Sequence, residues 1–153
     1  MFHIVLYQPE IPQNTGNIAR TCAVTGCKLH LIKPMAFQLD DKKLKRAGLD
    51  YWDKVFVDAY DGFDAFLKEN PGLRLHFFST KGKAYYHQAH YRENDCLVFG
   101  KETAGLPEAL LAQYHGQVYR LPMREDLRSL NLSNTVCTVV YEGLRQNSFP
   151  HMI

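Results

Sequence analysis

The chain has 153 residues, of which 46% are apolar and 22% charged, and it carries a formal net charge of +2. This composition fits one ordinary globular domain over residues 1–153. It excludes a disordered chain, and no apolar run is long enough to cross a bilayer as a helix.

Residues 3–7, rich in Ile, Val, Leu and Tyr, predict a first strand that ends before Pro9 and Pro12. The opening has neither a basic leader nor a small-residue cleavage site, so a cytoplasmic location is expected. A helix is expected to open near Asn14 or Thr15, either of which can cap it. It carries Ile18, Ala19, Cys22 and Ala23 on one side and stops at Gly26. Residues 28–32 predict a second strand, 41–47 a short helix, 54–57 a short strand, and 63–69 a helix ended by Asn70-Pro71-Gly72. Strands follow at 74–79 and 96–99, then a helix at 107–113 with Pro107 in its first turn, and a last strand at 117–121. In 131–146, Thr135, Val136, Thr138, Val139 and Val140 favour a strand by propensity. The segment is long, and Leu132, Val136, Val139, Val140 and Leu144 recur at helical spacing, so it is assigned as a helix capped by Ser129 or Asn131. Alternating strands and helices imply an α/β fold, a mostly parallel sheet with helices on both faces. Ligands in such folds gather at the carboxyl ends of the strands.

The four cysteines, Cys22, Cys27, Cys96 and Cys137, form no framework and are expected to be free thiols. Cys22, Cys27 and His30 make an incomplete metal set, as do His87 and His90, and no metal is expected. Several nucleotide and hydrolase signatures are also missing. No G-x-G-x-x-G follows the first strand, and no G-x-S-x-G elbow occurs. Gly100 and Gly105 have phosphate-loop spacing, but Leu106-Pro107 stands where a lysine and a hydroxyl residue are needed.

Three loops remain. Residues 12–20 place Gly16 at a helix start and Arg20 beyond it; this is either a plain capped helix with an exposed arginine or an anion site. Residues 99–107 combine Gly100, Gly105 and Glu102 at a strand end, as a strand-to-helix turn or a close approach to a ligand. Residues 121–134 gather Ser129, Asn131, Ser133 and Asn134 at one helix start, where a single cap explains only one of them. The cations Lys42, Lys43, Lys45 and Arg46, with Arg124, Arg128 and Arg145, are either a solvated face or phosphate contacts.

These loops, in this order, together with Leu29-His30-Leu31-Ile32, Arg46-Ala47-Gly48-Leu49-Asp50-Tyr51 and Thr80-Lys81-Gly82, resemble the SPOUT superfamily of RNA methyltransferases. The likeness is to its small bacterial members that methylate the ribose 2′-hydroxyl of the tRNA wobble nucleotide, cytidine or modified uridine, of certain leucine tRNAs. It runs from about residue 3 to 146. It implies a deep C-terminal trefoil knot, which no periodicity argument predicts. It also implies S-adenosylmethionine bound by Phe78, Thr80, Gly100, Glu102, Leu121, Met123, Ser129 and Leu130. A homodimer is implied whose sites are completed across the interface, with Arg20, Ser129, Asn131 and Tyr141 in catalytic or orienting roles. For Tyr141 a plain core position is equally open. RNA contact is expected from Asn14, Lys42, Lys43, Lys45, Arg46, Arg124, Arg128 and Arg145. The chain departs from the pattern at Lys101 and Ala104, where a familiar member has Pro and Arg. Two competing readings are a catalytically silent RNA-binding or assembly protein on the same scaffold, and a monomeric small-molecule nucleotide binder.

Overall fold

The computed structural model describes residues 1–39, 42, 46, 51 and 54–153. The first strand, β1 (His3–Tyr7), shows how the architecture arises: Ile4 and Leu6 enter one hydrophobic cluster and Val5 the other, and all three are fully buried. A strand buried on both faces needs a continuous apolar run, which is what His-Ile-Val-Leu-Tyr supplies. The remaining strands are β2 (Lys28–Ile32), β3 (Val57–Tyr60), β4 (Leu75–Phe78), β5 (Ala84–Tyr85), β6 (Cys96–Phe99) and β7 (Val118–Arg120). They form one 7-stranded sheet in the order β3-β2-β1-β6-β4-β7-β5, and every pairing is parallel.

Helices cover both faces. On one lie α1 (Pro12–Thr25) and α4 (Leu132–Gln146), packed through Ile18, Ala19 and Cys22 against Val136, Val139, Val140 and Leu144. On the other lie α2 (Phe63–Glu69) and α3 (Glu108–Gln113), which set Phe63, Phe66, Leu110 and Leu111 over Val5, Phe77 and Val98. A fully buried side chain such as Phe66 or Phe77 contributes about 1.5–3 kcal/mol. In α4 helical spacing prevails over β propensity, because only a helix turns all four of its buried apolar residues toward α1 and the sheet. Its Gly143 lies against Phe2, where an added Cβ would come within 2.7 Å of the ring.

Two expectations are corrected. α1 begins at Pro12 with Ile11 in the cap position, so Asn14 and Thr15 sit inside the helix instead of capping it. Pro12 suits the first turn because its missing N–H would have no helical partner there. The strand expected at 54–57 is β3, Val57–Tyr60, in register with Leu29–Ile32 of β2. Asp58 and Ala59 are weak strand formers, and pairing with β2 overrides them. The short β5 is a further addition. The helix expected over 41–47 lies outside the described residues except for Lys42 and Arg46, which are both helical. In the C-terminal half, residues 79–83 pass against β7 so closely that a Cβ on Gly82 would sit 2.6 Å from the Tyr119 carbonyl carbon. That crossing and the strand order are compatible with the implied knot.

Candidate active site

The parallel strands bring the carboxyl ends of β1, β4, β6 and β7 to one end of the sheet, and the loops leaving them enclose a cleft of about 460 Å³. Its walls are residues 78–81, 99–106, 121, 123 and 128–132, with Ile11 and Asn14 from the start of α1 and Thr135 from α4. Phe78, Leu121, Leu130 and Leu132 give it apolar surface, and Glu102, Ser129 and Asn131 give it polar groups.

Side chains far apart in sequence stitch the loops together. The Glu102 carboxylate accepts the backbone N–H of Glu10 (2.8 Å) and Ile11 (3.0 Å) and the side-chain amide of Asn14 (3.1 Å). Ile11 has no acceptor of its own to cap α1, so Glu102 serves as the cap from across the cleft, and its negative charge suits a helix N-terminus. Reciprocally, Glu10 accepts the N–H (3.0 Å) and hydroxyl (2.8 Å) of Thr103. Those two bonds hold the Glu10 carboxyl below its usual range. The oxygen of Asn14 then accepts from Asn131 Nδ2 (3.1 Å), while Asn131 Oδ1 caps α4 by accepting from Ser133 N (2.9 Å) and Asn134 N (3.4 Å). A continuous chain Glu102–Asn14–Asn131 thus joins the β6 loop to the starts of α1 and α4. Gly100 packs against Gly105, where a Cβ would fall 2.2 Å from the Gly105 carbonyl carbon, and Gly105 itself is left-handed at φ +68. The turn therefore needs glycine at both places.

The residues expected to hold the donor, Phe78, Thr80, Gly100, Glu102, Leu121, Met123, Ser129 and Leu130, all line this one cleft. Of those expected to be catalytic, Ser129 and Asn131 line it, and Arg20 and Tyr141 do not. Arg20 is exposed on α1 with its guanidinium 5.1 Å from the Tyr51 ring centroid, and Tyr141 is exposed on α4. Among the expected RNA contacts, Arg128 is on the cleft and Lys42 and Arg46 are exposed. Lys43 and Lys45 lie outside the described residues. Arg124 faces Asp126 at 3.4 Å, and Arg145 pairs with Glu142 at 2.8 Å. Asn14, also expected to touch RNA, is buried at the cleft wall with both ends of its amide engaged inside the protein, so it positions the loops. Sequence reasoning missed Glu10, whose tie to Thr103 spans 93 positions and leaves no local pattern. It also left Lys81, Lys101, Leu132 and Thr135 out of the site, although all four line the cleft.

Residues 1–141 match the model of the SpoU rRNA Methylase family. A tRNA (cytidine(34)-2′-O)-methyltransferase of Saccharophagus degradans is 51% identical over 150 residues, covering 97% of each chain. The protein of that name from Escherichia coli is 50% identical over 151 residues, covering 98% of this chain and 96% of its own. A solved structure described as giving insights into the 2-OH methylation of C/U34 on tRNA shares 50% identity and a TM-score of 0.93, covering 97% of each chain. With a fold and a sequence that agree over nearly its whole length, the chain belongs to the SpoU rRNA methylase family.

Proposed function

We propose that the chain is an S-adenosylmethionine-dependent tRNA methyltransferase acting on the ribose 2′-hydroxyl of nucleotide 34. The observation that carries this reading is the convergence of three loops, distant in sequence, on one cleft in a chain half identical to named cytidine-34 methyltransferases along its full length. The cleft suits the donor. Its volume lies inside the range of about 300–1,000 Å³ usual for small-molecule sites. Its apolar walls suit an adenine ring. The backbone amides of Met123, Ser129 and Leu130 make no hydrogen bond among the described residues, which leaves them available to a ligand.

S-adenosylmethionine supplies a methyl group on a cationic sulfur, open to in-line displacement by an oxygen. This chain's residues must place that oxygen and relieve its developing negative charge. Glu102 is committed to three donors and Asn131 to its cap and to Asn14, so both hold loops in position, and neither is free to take a proton. Ser129 has no such commitment among the described residues and faces the cleft. A guanidinium offers a fork of donors and no acceptor, so Arg20 serves as an anchor that orients the ribose or its phosphate.

Arg20 and Tyr141 lie outside the cleft of their own chain, which supports sites completed by a second copy. The exposed apolar side chains of Val24 on α1 and Tyr141 on α4 suit such a pairing. Leucine tRNAs as substrate and a cytoplasmic place of action accompany this reading; among the described residues no helix is long and apolar enough to cross a membrane.

The test is transfer of a labelled methyl group from donor to tRNA, followed by mapping of the modified nucleotide. Methylation at the ribose of position 34, lost in Arg20→Ala while donor binding persists, is the expected result. Modification elsewhere, or none, defeats the proposal.

A further inference from the structure

We infer that Lys101 binds a phosphodiester oxygen of the RNA substrate at the rim of the cleft. The inference rests on the methyltransferase reading above. Three cations from different loops line the cleft: Lys81, Lys101 and Arg128. Lys81 is already paired with Glu108 across the loops. Lys101 forms no ion pair among the described residues, and its ammonium meets only a neutral acceptor, Gln8 Oε1, at 3.3 Å. So long a bond to an amide is readily exchanged for a charged partner.

The carboxylates that might have neutralised it are otherwise engaged. Glu10 is held by the hydroxyl and amide of Thr103, and although the nearby Lys101 charge also helps lower its carboxyl, it makes no ion pair with the lysine; Glu102 is held by Glu10 N, Ile11 N and Asn14. The site is also preset. The Lys101 carbonyl accepts Gly105 N–H at 2.9 Å, which fixes the turn that carries the side chain. Gln8 is held by its N–H on Ile32 O at 3.0 Å, in a left-handed conformation at φ 50 that is costly for any residue but glycine.

Position decides which anion is bound. Gln8 is not part of the cleft wall, so the ammonium is drawn away from the interior, toward the end of β1. Lys101 is flanked by Gly100 and Glu102, on a wall expected to hold the donor, and its reach past the cleft toward Gln8 favours an anion arriving from outside over the donor's own carboxylate. An arriving nucleotide brings its phosphates to the rim.

Lys101→Met and Lys101→Arg separate the two anion sources. The readouts are tRNA affinity over a salt series and donor affinity by calorimetry without RNA. Lys101→Met should weaken tRNA binding about tenfold, as expected for one hydrogen bond to a charged group. It should also lower the magnitude of the log K against log salt slope by about 0.7, the loss of one single-strand phosphate contact. Donor affinity stays constant, and Lys101→Arg retains both tRNA binding and slope. An unchanged slope, or a donor affinity that falls in parallel, overturns the inference; in the second case the lysine serves the donor's carboxylate. Should the wild-type protein bind tRNA with this lysine-dependent slope yet transfer no methyl group, the phosphate contact stands and the enzymatic reading falls.

Discussion

Polar side chains are used differently at the two ends of the sheet. Toward the amino ends they gather around one buried carboxylate. Asp95, just before β6, accepts from Arg74 through both carboxylate oxygens, shares a hydrogen bond with His76 at 2.9 Å, and accepts the Arg92 amide at 2.8 Å. At the carboxyl ends Glu102, Asn14 and Asn131 bind loops to one another across an open cleft, and their partners are mostly backbone groups at helix starts. The first arrangement locks strands in place. The second holds a shape that would otherwise spread, because three loops with few apolar contacts have little else to fix their spacing. Stability and site geometry should therefore respond to different substitutions.

The largest stability loss is expected from Asp95→Asn. Burial alone would raise this carboxyl, but hydrogen bonds from His76, Arg74 and the Arg92 amide outweigh it and hold the group at about 2. Removing one partner of a buried ion pair costs about 3–5 kcal/mol. Arg74 is 39% exposed and can rehydrate, so the low end, about 3 kcal/mol, is expected here. In thermal unfolding that is a fall of roughly 6–12 °C for a chain of this size. Donor affinity measured well below the transition should not move. A variant that unfolds like the wild type but loses donor binding would erase the division between the two ends.

Glu102→Ala is the counterpart. It leaves Glu10 N, Ile11 N and Asn14 Nδ2 without their acceptor and frees the start of α1 from the β6 loop. Displacement of a site by about 1 Å can cost 100-fold in rate, and turnover should fall by about that factor. Ile11 is exposed, so water can serve its N–H, but the buried Asn14 amide loses an acceptor, and the unfolding midpoint should fall by less than in Asp95→Asn. Single-turnover methyl transfer beside a melting curve checks both halves. A melting loss larger than the rate loss would show that the carboxylate stabilises the fold and does not shape the cleft.

The same contrast explains what the sequence disclosed. Cys96–Phe99 and Phe63–Glu69 were legible because each is an apolar or periodic run closed by local turn residues. α4 was legible from spacing, with Asn131 as its cap. β5 was not, since Ala84–Tyr85 is a strand only because β7 offers Tyr119 and Arg120 beside it. The start of α1 was misplaced for a related reason: its cap comes from Glu102, 91 positions away from Ile11. The loops around the cleft stood out by their own glycines and cap residues, while the individual donor-binding positions came from the family resemblance. The ties between loops were not, because hydrogen bonds between distant segments leave no local periodicity. Arg20 stood out in its motif, yet one folded chain keeps it outside the cleft, and no reading of a single chain reveals what it faces.

The smallest effect belongs to a second buried polar cluster, on β1, β2 and β3, and depends on pH. His30 is 1% exposed, and its Nε2 shares a hydrogen bond with His3 Nδ1 at 2.9 Å while its Nδ1 meets the Tyr60 hydroxyl at 3.1 Å. Burial, then the neighbouring His3, lowers it from 6.5 to about 4; Asp58 opposes this, and Lys28 adds to it slightly. The folded state therefore binds the proton less readily than the unfolded chain. The stabilisation from a neutral His30 is complete above pH 6.5 and is lost as the pH falls toward about 4, with about 2 kcal/mol gone by pH 5. Asp95, held at about 2 in the fold against 3.8 in the unfolded chain, loses its stabilisation mainly below pH 4 and so adds little between pH 7.5 and pH 5. Urea unfolding at pH 7.5 and pH 5 measures the difference, and His30→Phe should flatten it while lowering stability at the higher pH, because Tyr60 and His3 lose a partner. An equally steep loss in that variant would transfer the titration to His3, whose own ring is also shifted down by burial and by Lys28.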